Sequence, residues 1–282
     1  MRQVFEQSML TALSAFSPVS TGITVRTPRV YCYDAKTYTQ VMESLPNSKD
    51  LKSWLLSTED ISRERAEAIG HALGAWLRDF HAWTSQDQQA ALRQQMTQNA
   101  EMKKIKNMVN YDRLPAMVDA YPHILESSRE IFDQVRRLNN DENENEDWLI
   151  HGDFWTGNVL VTDHTLFVVD WELSHIGPRA LDLGQILAEL FEVKHFKNID
   201  AGVYIMHALI ESYGLITPDM AFRVAVHVGV HLVCWSGVPG WGEKLQIEHV
   251  VRIGRDFVVR GWERDRDWFV NENTLGCLFR DS

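Results

Sequence analysis

One segment of the chain, HGDFWTGNVLVTDHTLFVVDWE, contains side chains whose types and spacing could do chemistry. Asp153 precedes Asn158 by five residues, and Asp170 follows Asn158 by twelve. The runs NVLV and TLFVVD are rich in β-branched and aromatic residues, and they predict a hairpin that turns at Asp163 and His164. Such a hairpin would leave Asp153 and Asn158 on one loop and bring Asp170 back beside them.

This set of side chains suits phosphoryl transfer. One carboxylate must orient the attacking hydroxyl and accept its proton, while a second carboxylate and an amide oxygen hold the Mg²⁺ that bridges the phosphates. Kinase catalytic loops have the same Asp-to-Asn spacing, with a metal-binding Asp beyond the next hairpin. The simpler interpretation is a set of turns, because Gly, Asp and Asn favour turns. The His-Gly before Asp153, the hairpin after it and VVDWE at the right distance favour the catalytic site.

The bulk composition is that of a globular chain, with 282 residues of which 45% are hydrophobic and 24% charged. No apolar run approaches the roughly 20 residues of a transmembrane helix, so we expect no membrane partner. The net charge of −11 disfavours nucleic-acid binding and mildly favours a cationic ligand. The cysteines are scattered without a CxxC pair. This spacing favours a cytoplasmic protein over a disulfide framework or a zinc site.

The pattern along the rest of the chain predicts an α+β layout. Apolar residues at helical spacing favour a first helix over residues 5–16 rather than a signal peptide. Two strands, at residues 29–33 and 38–44, follow and are joined by a turn. The stretches SPVSTGITVRTP and NNDENENED are typical of loops. Further helices are predicted over residues 50–81, 86–107, 122–138, 180–195, 200–213, 218–236 and 243–259.

Taken together, these segments resemble the aminoglycoside phosphotransferase and choline kinase family, small-molecule kinases with a protein-kinase-like fold. The resemblance rests on HGDFWTGNVL, FVVDWE and GPRALDLGQIL. Upstream, VYCYD…QVMESLPNSKDL is similar to the last N-lobe strands and hinge, and IGHALGAWLRDFH to the helix that leads to the family's Leu-His motif. The resemblance implies a truncated N-lobe of one helix and a β-hairpin in residues 1–47. It also implies a large, mostly helical C-lobe in residues 48–282, which contains the short catalytic hairpin.

The same resemblance implies a role for each residue of the catalytic segment. Asp153 would be the catalytic base, with ATP as the phosphoryl donor. Asn158 and Asp170 would be the Mg²⁺ ligands. His151 and Asp182 would support the loop rather than do chemistry.

The resemblance also implies roles for residues of the hinge and of the first helix. Met42, Glu43, Ser44 and Leu45 would line the adenine slot, with main-chain groups of Glu43 and Leu45 as hydrogen-bond partners. Glu6 is the candidate partner of the phosphate-binding lysine that this family carries. An ordinary solvated glutamate fits the spacing of Glu6 equally well.

Late in the helical part, Trp241 and Glu243 lie where this family builds its acceptor pocket. An aromatic and acidic wall would suit an amine. The implied acceptor is therefore a small, hydroxylated, amine-bearing metabolite. Core packing is the alternative for the tryptophans of this region, and it is favoured more for Trp235 than for Trp241.

The first half of the N-lobe has no counterpart in this sequence. No G-x-G-x-x-G occurs, and the only lysine before the hinge is Lys36, in the hairpin turn. Without a glycine-rich loop and its lysine, phosphoryl transfer would lose several orders of magnitude in rate. Two hypotheses follow: an ATP- and Mg²⁺-dependent kinase, or an impaired pseudokinase or truncated family member that acts by binding. A shortened lobe would also expose a strand edge, so we expect self-association there.

Two other motifs partly resemble functional sites of other protein classes, but each lacks a required feature. GVPGWGEK lacks the spacing and the Lys-Ser/Thr ending of a phosphate loop, and predicts a Gly/Pro turn. HVGVH places His227 and His231 one helical turn apart, but Val228 stands where a zinc protease has its general-base Glu. A metallohydrolase site that starts at the HGD motif would need further ligands that the sequence does not place.

Overall fold

The structure is a computed structural model that describes residues 2–18, 22–58, 60–142, 148–214, 216–238, 241–272 and 274–279. The helices are α1 Arg2–Leu13, α2 Leu51–Ser57, α3 Arg63–Thr84, α4 Ala90–Met96, α5 Ala100–Val109, α6 Leu114–Ala120, α7 Pro122–Leu125, α8 Arg129–Glu142, α9 Ala180–Lys197, α10 Ala201–Tyr213, α11 Pro218–Trp235, α12 Lys244–Trp262 and α13 Arg266–Glu272. The strands are β1 Thr24–Arg26, β2 Val30–Asp34, β3 Thr39–Met42, β4 Lys49–Asp50, β5 Leu149–Ile150, β6 Val159–Val161, β7 Thr165–Val168 and β8 His175–Ile176. Among the described residues, no helix is both long and apolar enough to cross a membrane.

A four-stranded sheet carries the hairpin of the catalytic segment. Its order is β1-β7-β6-β4, with β1 parallel to β7 and the other neighbours antiparallel. The β6–β7 pair places Val159 opposite Val168, and Thr162 N–H donates to Thr165 O across the turn. This confirms the predicted hairpin. Two smaller ladders pair β2 with β3 and β5 with β8.

Strand β1 overturns one expectation, since it lies in the stretch that was predicted to be a loop. Its central residue Val25 is buried and lies opposite Leu166 of β7. The guanidinium of Arg26 covers the ring of Phe167 at 4.3 Å. Three residues with one buried side chain make too short a pattern to identify a strand, so its pairing with β7 decides the conformation. Residues 19–21 of this stretch lie outside the described residues.

Several predicted segments differ from the observed helices in extent. The helix over 50–81 is divided into α2 and α3, because Asp50 caps the first through Ser53 N–H and Ser62 caps the second through Arg65 N–H. The helix over 86–107 is divided into α4 and α5. The helix over 122–138 is divided into α7 and α8. Helix α8 continues to Glu142, so the start of the predicted acidic loop is helical, and residues 143–147 lie outside the described residues.

The β2–β3 hairpin forms its own two-stranded ladder and exposes apolar side chains. Tyr31 is 65% exposed, and Tyr38, Val41 and Met42 also remain in contact with solvent. The hairpin is the surface through which self-association is predicted. That oligomer, and the domain boundary after residue 47, both stay predictions.

Helices α3 and α10 pack closely because small residues line their contact. A Cβ added to Gly74 would lie 2.1 Å from the carbonyl oxygen of Leu209, and one added to Gly70 would lie 2.4 Å from that of Ile205. These distances leave no space for a methyl group. The two glycines therefore set the separation of α3 and α10, and with it the position of His81, which lies in the last turn of α3.

Gly74→Ala is expected to lower the free energy of unfolding by about 1–3 kcal/mol, because an added methyl group overfills the contact. At an exposed position in the middle of a helix, the change from glycine to alanine would instead raise the free energy of unfolding by about 1 kcal/mol. Urea denaturation measures the difference. Gln94→Ala, on the exposed face of α4, is the control and should shift stability by less than about 0.5 kcal/mol. An unchanged or higher urea midpoint for Gly74→Ala would contradict the packing argument.

Candidate active site

The loop that follows β5 is held by the carboxylate of Asp182, at the start of α9. The backbone N–H of His151 donates to Asp182 Oδ2 and that of Gly152 to Oδ1, each at 2.9 Å. Gly152 has a φ of +80°, and a Cβ there would lie 2.2 Å from Leu173 O. Only glycine fits this position. Both loop amides are therefore satisfied by one side chain, and the direction in which Asp153 leaves the loop is set.

Asp182 is anchored in turn from α3 and α10. Its side chain is fully buried, and Oδ2 lies 3.1 Å from His81 Nε2, while His81 Nδ1 lies 3.0 Å from the hydroxyl of Tyr213. Burial raises the pKa of the Asp182 carboxyl, but His81 and the loop amides outweigh it and lower that pKa overall. Burial lowers the pKa of His81, which favours the neutral ring. A buried carboxylate with three partners is a stable support for the loop.

His151 links the two loops of the site. Its ring is fully buried, Nδ1 accepts the backbone N–H of Asp153 at 3.2 Å, and Nε2 lies 3.1 Å from Val169 O. Because Nδ1 accepts, the ring proton must be on Nε2, which donates to Val169 O. Burial lowers the pKa of His151, in keeping with a neutral ring. Both nitrogens are used within the protein, so the ring positions the loops and has no proton to exchange with a substrate.

Three side chains hold the carboxylate of Asp153. Oδ1 accepts from Lys106 Nζ at 2.6 Å and from Gln185 Nε2 at 2.8 Å, while Oδ2 accepts from Asn158 Nδ2 at 3.0 Å. Burial raises the pKa of Asp153, but Lys106 and then Gln185 outweigh it and lower that pKa. The carboxylate is therefore ionised at neutral pH. Oδ1 already accepts two hydrogen bonds. Oδ2 accepts only one, so it can accept a second from a substrate.

Lys106 and Gln185 are the contacts of this site that sequence reasoning missed. Lys106 lies on α5, far from any motif, and its burial (8% exposed) cannot be read from the pattern of a short helix. Its ammonium also donates to Gln185 Oε1 at 2.7 Å. Gln185 could have been found, because it lies three residues after Asp182 and therefore on the same face of α9.

Asn158 and Asp170 flank the β6–β7 hairpin at its open end. Asn158 Nδ2 donates to the main-chain oxygen of Asp153 at 2.9 Å as well as to its carboxylate, which leaves Oδ1 as the acceptor atom of the amide. Val169 N–H donates to Asn158 O at 3.0 Å, which holds the start of one loop against the end of β7. Asp170 then takes the left-handed conformation, with φ of 65°. A non-glycine residue in this conformation is uncommon and marks a constrained turn.

Helix α1 adds a further carboxylate beside Asp170. Glu6 accepts the backbone N–H of Trp171, and burial followed by the charge of Asp170 raises its pKa. Burial, then Glu172 and Asp153, likewise raises the pKa of Asp170. Oxygen ligands with accumulated negative charge are what Mg²⁺ prefers, so this cluster fits the ion. Glu6 thus lies beside Asp170, one of the two predicted Mg²⁺ ligands, and its pairing with a lysine stays a prediction.

The hinge residues are partly engaged within the protein. Glu43 N–H donates to Arg29 O at 2.8 Å, and the Glu43 carboxylate forms two 2.7 Å hydrogen bonds with Arg26. This pairing lowers the pKa of Glu43 to about 2. Leu45 O accepts from Ser48 Oγ at 2.8 Å, while Met42 and Ser44 are exposed. The assignment of these four residues to the adenine slot stays a prediction.

Trp241 forms an aromatic wall next to the catalytic loop. It is buried, stacks on Phe196 at 5.5 Å, and carries the ammonium of Lys52 at 3.7 Å above its ring centroid. The same ammonium lies 5.8 Å from the ring centroid of Trp155, which follows Asp153 in the loop, and 3.5 Å from Glu189 Oε2. The wall therefore already holds one cation, supplied by the chain itself.

The other acceptor candidates have local partners. Glu243 is exposed and caps α12, where its side chain and that of Gln246 form a reciprocal capping box. Trp235 Nε1 donates to Asn110 Oδ1 at 2.8 Å. The part played by Glu243 in acceptor binding stays a prediction.

The histidines of HVGVH point to different partners. His227 Nδ1 lies 2.8 Å from the hydroxyl of Tyr111, whereas His231 Nε2 lies 3.3 Å from Glu189 Oε1. They do not form a shared site with each other. His231, Glu189 and Glu192 instead make a buried cluster, called here the Glu-Glu-His cluster.

The catalytic loop, the hairpin and the left-handed Asp at its end lie between a small strand-bearing part and a large helical part. This arrangement defines a protein-kinase-like phosphotransferase fold. A sequence comparison supports the same class, since residues 3–205 match the phosphotransferase enzyme family. The chain belongs to this family, as the motifs predicted.

Two relatives illustrate the membership, and one solved structure shares the fold. Phosphotransferase FrzJ of Cladobotryum sp is 29% identical over 261 residues, which cover 87% of this chain and 68% of that protein. A 4-hydroxytryptamine kinase of Psilocybe cyanescens is 26% identical over 277 residues, or 90% of this chain and 72% of the relative. The GDP complex of an aminoglycoside 2'-phosphotransferase-IIIa variant has a TM-score of 0.50 at 12% identity, over 95% of this chain and 82% of that chain. This likeness confirms the predicted α+β kinase-like fold.

Proposed function

We propose that this chain transfers the γ-phosphoryl group of ATP, with Mg²⁺, to the hydroxyl of a small amine-bearing metabolite. The observation that carries the proposal is the convergence of Asp153 and Asn158, joined at 3.0 Å, with the left-handed Asp170. Turn-forming residues alone would not need a partly buried, ionised carboxylate held by three side chains. Family membership supports the reaction class.

The residues divide the chemistry between them. The acceptor hydroxyl would donate to Asp153 Oδ2, the oxygen that has one donor, and would pass its proton there as its bond to the γ-phosphorus forms. The bond from the γ-phosphorus to the β,γ-bridging oxygen would break at the same time, and ADP would leave with that oxygen. Lys106 and Gln185 hold the other oxygen, so the base keeps one orientation. Mg²⁺ held by Asn158 Oδ1 and Asp170 would neutralise charge on the β- and γ-phosphates.

The proposal that the acceptor carries an amine is supported by the aromatic wall at Trp241. The Lys52 ammonium lies 3.7 Å from the Trp241 ring centroid and 3.5 Å from Glu189 Oε2, a position that combines a cation–π contact with a carboxylate. A substrate amine has the same chemistry and would take over this position from Lys52. The net charge of −11 favours the approach of such a cation.

The reaction is tested with ATP, Mg²⁺ and 4-hydroxytryptamine, the substrate in the name of one relative. ADP release and a phosphorylated product detected by mass spectrometry are expected for the natural chain, and Asp170→Asn should abolish both. Thermal shift with ATP–Mg²⁺ is the independent measurement of donor binding. If neither turnover nor stabilisation by ATP–Mg²⁺ appears, the proposal fails for this polypeptide.

Lys52→Met is expected to strengthen the binding of the amine. Removing the internal ammonium frees the Trp241 ring and Glu189 Oε2, so the Kd for 4-hydroxytryptamine should fall by roughly 5- to 30-fold, equivalent to about 1–2 kcal/mol. Isothermal titration calorimetry measures this change. Lys49→Met is the control, because Lys49 is exposed and bonds Ser57 instead. Weaker amine binding in Lys52→Met would mean that Lys52 supports the pocket rather than occupying it.

A second candidate function is binding without turnover, through the exposed β2–β3 hairpin. Tyr31 is 65% exposed and Val41 47% exposed on this small ladder, which suits an association surface. Sedimentation equilibrium of the natural chain and of Tyr31→Ser tests it. A concentration-independent monomer in both would remove this candidate.

A further inference from the structure

The Glu-Glu-His cluster lies between α9 and α11, apart from the residues that would hold Mg²⁺. Glu189 and Glu192 are three residues apart on α9 and therefore share a face, and His231 faces them from α11. One ligand atom from each side chain lies within 4.8 Å of the others, and all three residues are buried. Two carboxylates buried side by side need either a compensating charge or a proton.

One oxygen of each carboxylate is held from outside the cluster. Glu189 Oε2 faces Lys52 Nζ at 3.5 Å and accepts from Thr156 Oγ1 at 3.4 Å. Glu192 Oε1 accepts from Ser236 Oγ at 2.6 Å. These contacts orient the carboxylates in the way that outer partners orient metal-binding side chains.

The remaining atoms point toward one another without hydrogen bonds that satisfy them. His231 Nε2 lies 3.3 Å from Glu189 Oε1 and 4.0 Å from Glu192 Oε2. Within the described residues, neither Glu192 Oε2 nor His231 Nε2 makes a hydrogen bond of acceptable geometry, and the closest approach of Nε2 is the ion-pair contact with Glu189 Oε1. Both atoms are buried. An unsatisfied buried polar atom costs about 1–3 kcal/mol, so two in one place call for a missing partner.

We propose that Glu189 Oε1, Glu192 Oε2 and His231 Nε2 bind a divalent transition-metal ion, separate from the catalytic Mg²⁺. An imidazole with two carboxylates suits Zn²⁺, Mn²⁺, Fe²⁺ or Co²⁺, whereas Mg²⁺ and Ca²⁺ take oxygen ligands. Ligands at about 2.0–2.2 Å from an ion are about 3–4 Å apart, which the cluster nearly satisfies before any adjustment. The two carboxylates would balance the charge of the ion.

The location gives the ion a role in the fold of the site. Thr156 lies in the catalytic loop between Asp153 and Asn158, and it donates to Glu189. A bound ion would therefore tie α9 to α11 directly behind the loop. The inference does not rest on the proposed kinase activity, because it concerns metal binding alone.

A proton shared within the cluster is the competing explanation. It would satisfy one carboxylate, and Lys52 already lies beside the other. Glu192→Gln separates the two explanations, since the amide keeps an oxygen for Ser236 but is a poor metal ligand. The shared-proton explanation expects no metal binding in any variant.

The test is a Co²⁺ titration of the metal-stripped full chain, carried out in an Asp170→Asn background to remove the catalytic ion. The expected result is one equivalent of Co²⁺ with visible d–d absorption bands, displaced by Zn²⁺. Glu192→Gln should weaken Co²⁺ binding by at least 100-fold. His227→Asn is the matched control, because that buried histidine of α11 faces Tyr111 and should leave the titration unchanged.

A second variant keeps the test valid if Glu192→Gln fails to fold. Glu189→Gln is the second ligand variant, and circular dichroism melts report the integrity of each. Absence of stoichiometric Co²⁺ bands in the Asp170→Asn chain would overturn the proposal. So would bands of equal affinity in folded Glu192→Gln and Glu189→Gln chains, since the ion would then lie elsewhere.

Discussion

Asp153→Asn is expected to lower kcat for phosphoryl transfer by about 10²–10⁴-fold, the range found for removing a general base. The amide keeps the size of the side chain and can still accept from Lys106 or Asn158 through its oxygen. It cannot take the hydroxyl proton. Binding of ATP–Mg²⁺ should be largely retained, because Asn158 and Asp170 are unchanged.

Single-turnover kinetics with 4-hydroxytryptamine would measure this effect, and thermal shift would measure ATP–Mg²⁺ binding in parallel. Asp163→Asn is the matched control, since Asp163 lies in the exposed turn of the β6–β7 hairpin. It should retain normal kcat. A folded Asp153→Asn enzyme with more than a tenth of normal kcat would show that Asp153 is not the base.

Lys106→Met is expected to destabilise the fold by about 3 kcal/mol at neutral pH, the lower end of the range for breaking a buried ion pair. The lower end applies because the Asp153 side chain retains 20% exposure to solvent. The change leaves the Asp153 carboxylate without the cation that lies 2.6 Å from Oδ1. Chemical denaturation would measure the loss, with Lys104→Met, exposed on the same helix, as the control.

The pH dependence of this loss has a definite sign. In the natural chain the pKa of Asp153 is lowered despite burial, so its contribution to stability is present above the unfolded pKa and is lost as pH falls through the folded pKa. Without Lys106, burial dominates and raises the folded pKa, so the carboxylate protonates more readily. Lys106→Met should therefore be more destabilised at pH 7 than at pH 4.

A double-mutant cycle with Asp153→Asn tests the origin of the effect. Once the carboxylate is neutral, removal of Lys106 should cost much less than it does in the natural chain. Additive losses would indicate that Lys106 acts through packing of its aliphatic chain. The acid limb of the rate profile should also move to higher pH in Lys106→Met, because a protonated Asp153 cannot accept the hydroxyl proton.

The family and the catalytic hairpin were predictable because their information is local. Asp153, Asn158 and Asp170 lie within eighteen positions of one another, and the hairpin between them is encoded by β-forming residues and a turn. Most of the larger helices were predicted for the same reason, since periodicity repeats over many residues. Local information also explains the misjudged boundaries, because the caps at Asp50 and Ser62 divide a stretch whose apolar pattern continues.

Contacts between distant segments could not be predicted in this way. Strand β1 is three residues long and acquires its conformation from β7, about 140 positions later. The resemblance to a kinase directed attention to a phosphate-binding lysine that has no counterpart in this sequence. It did not predict Lys106, which contacts Asp153 from a helix without a motif. Glu6 was selected as the partner of a lysine, and the structure places it against Trp171 N–H and Asp170.

By itself, the sequence determined the family, most of the larger helices, the β6–β7 hairpin and the three residues proposed for base and metal. Residues close in the chain, with fixed strand and helix periods, leave few alternatives for their relative placement. Only the tertiary structure decided which charged side chains meet distant parts of the chain. Lys106 contacts Asp153, Lys52 lies over Trp241, and His231 lies beside Glu189 and Glu192. The strength of a charge interaction depends on burial and on distances across the fold, and neither is a property of neighbouring residues in a sequence.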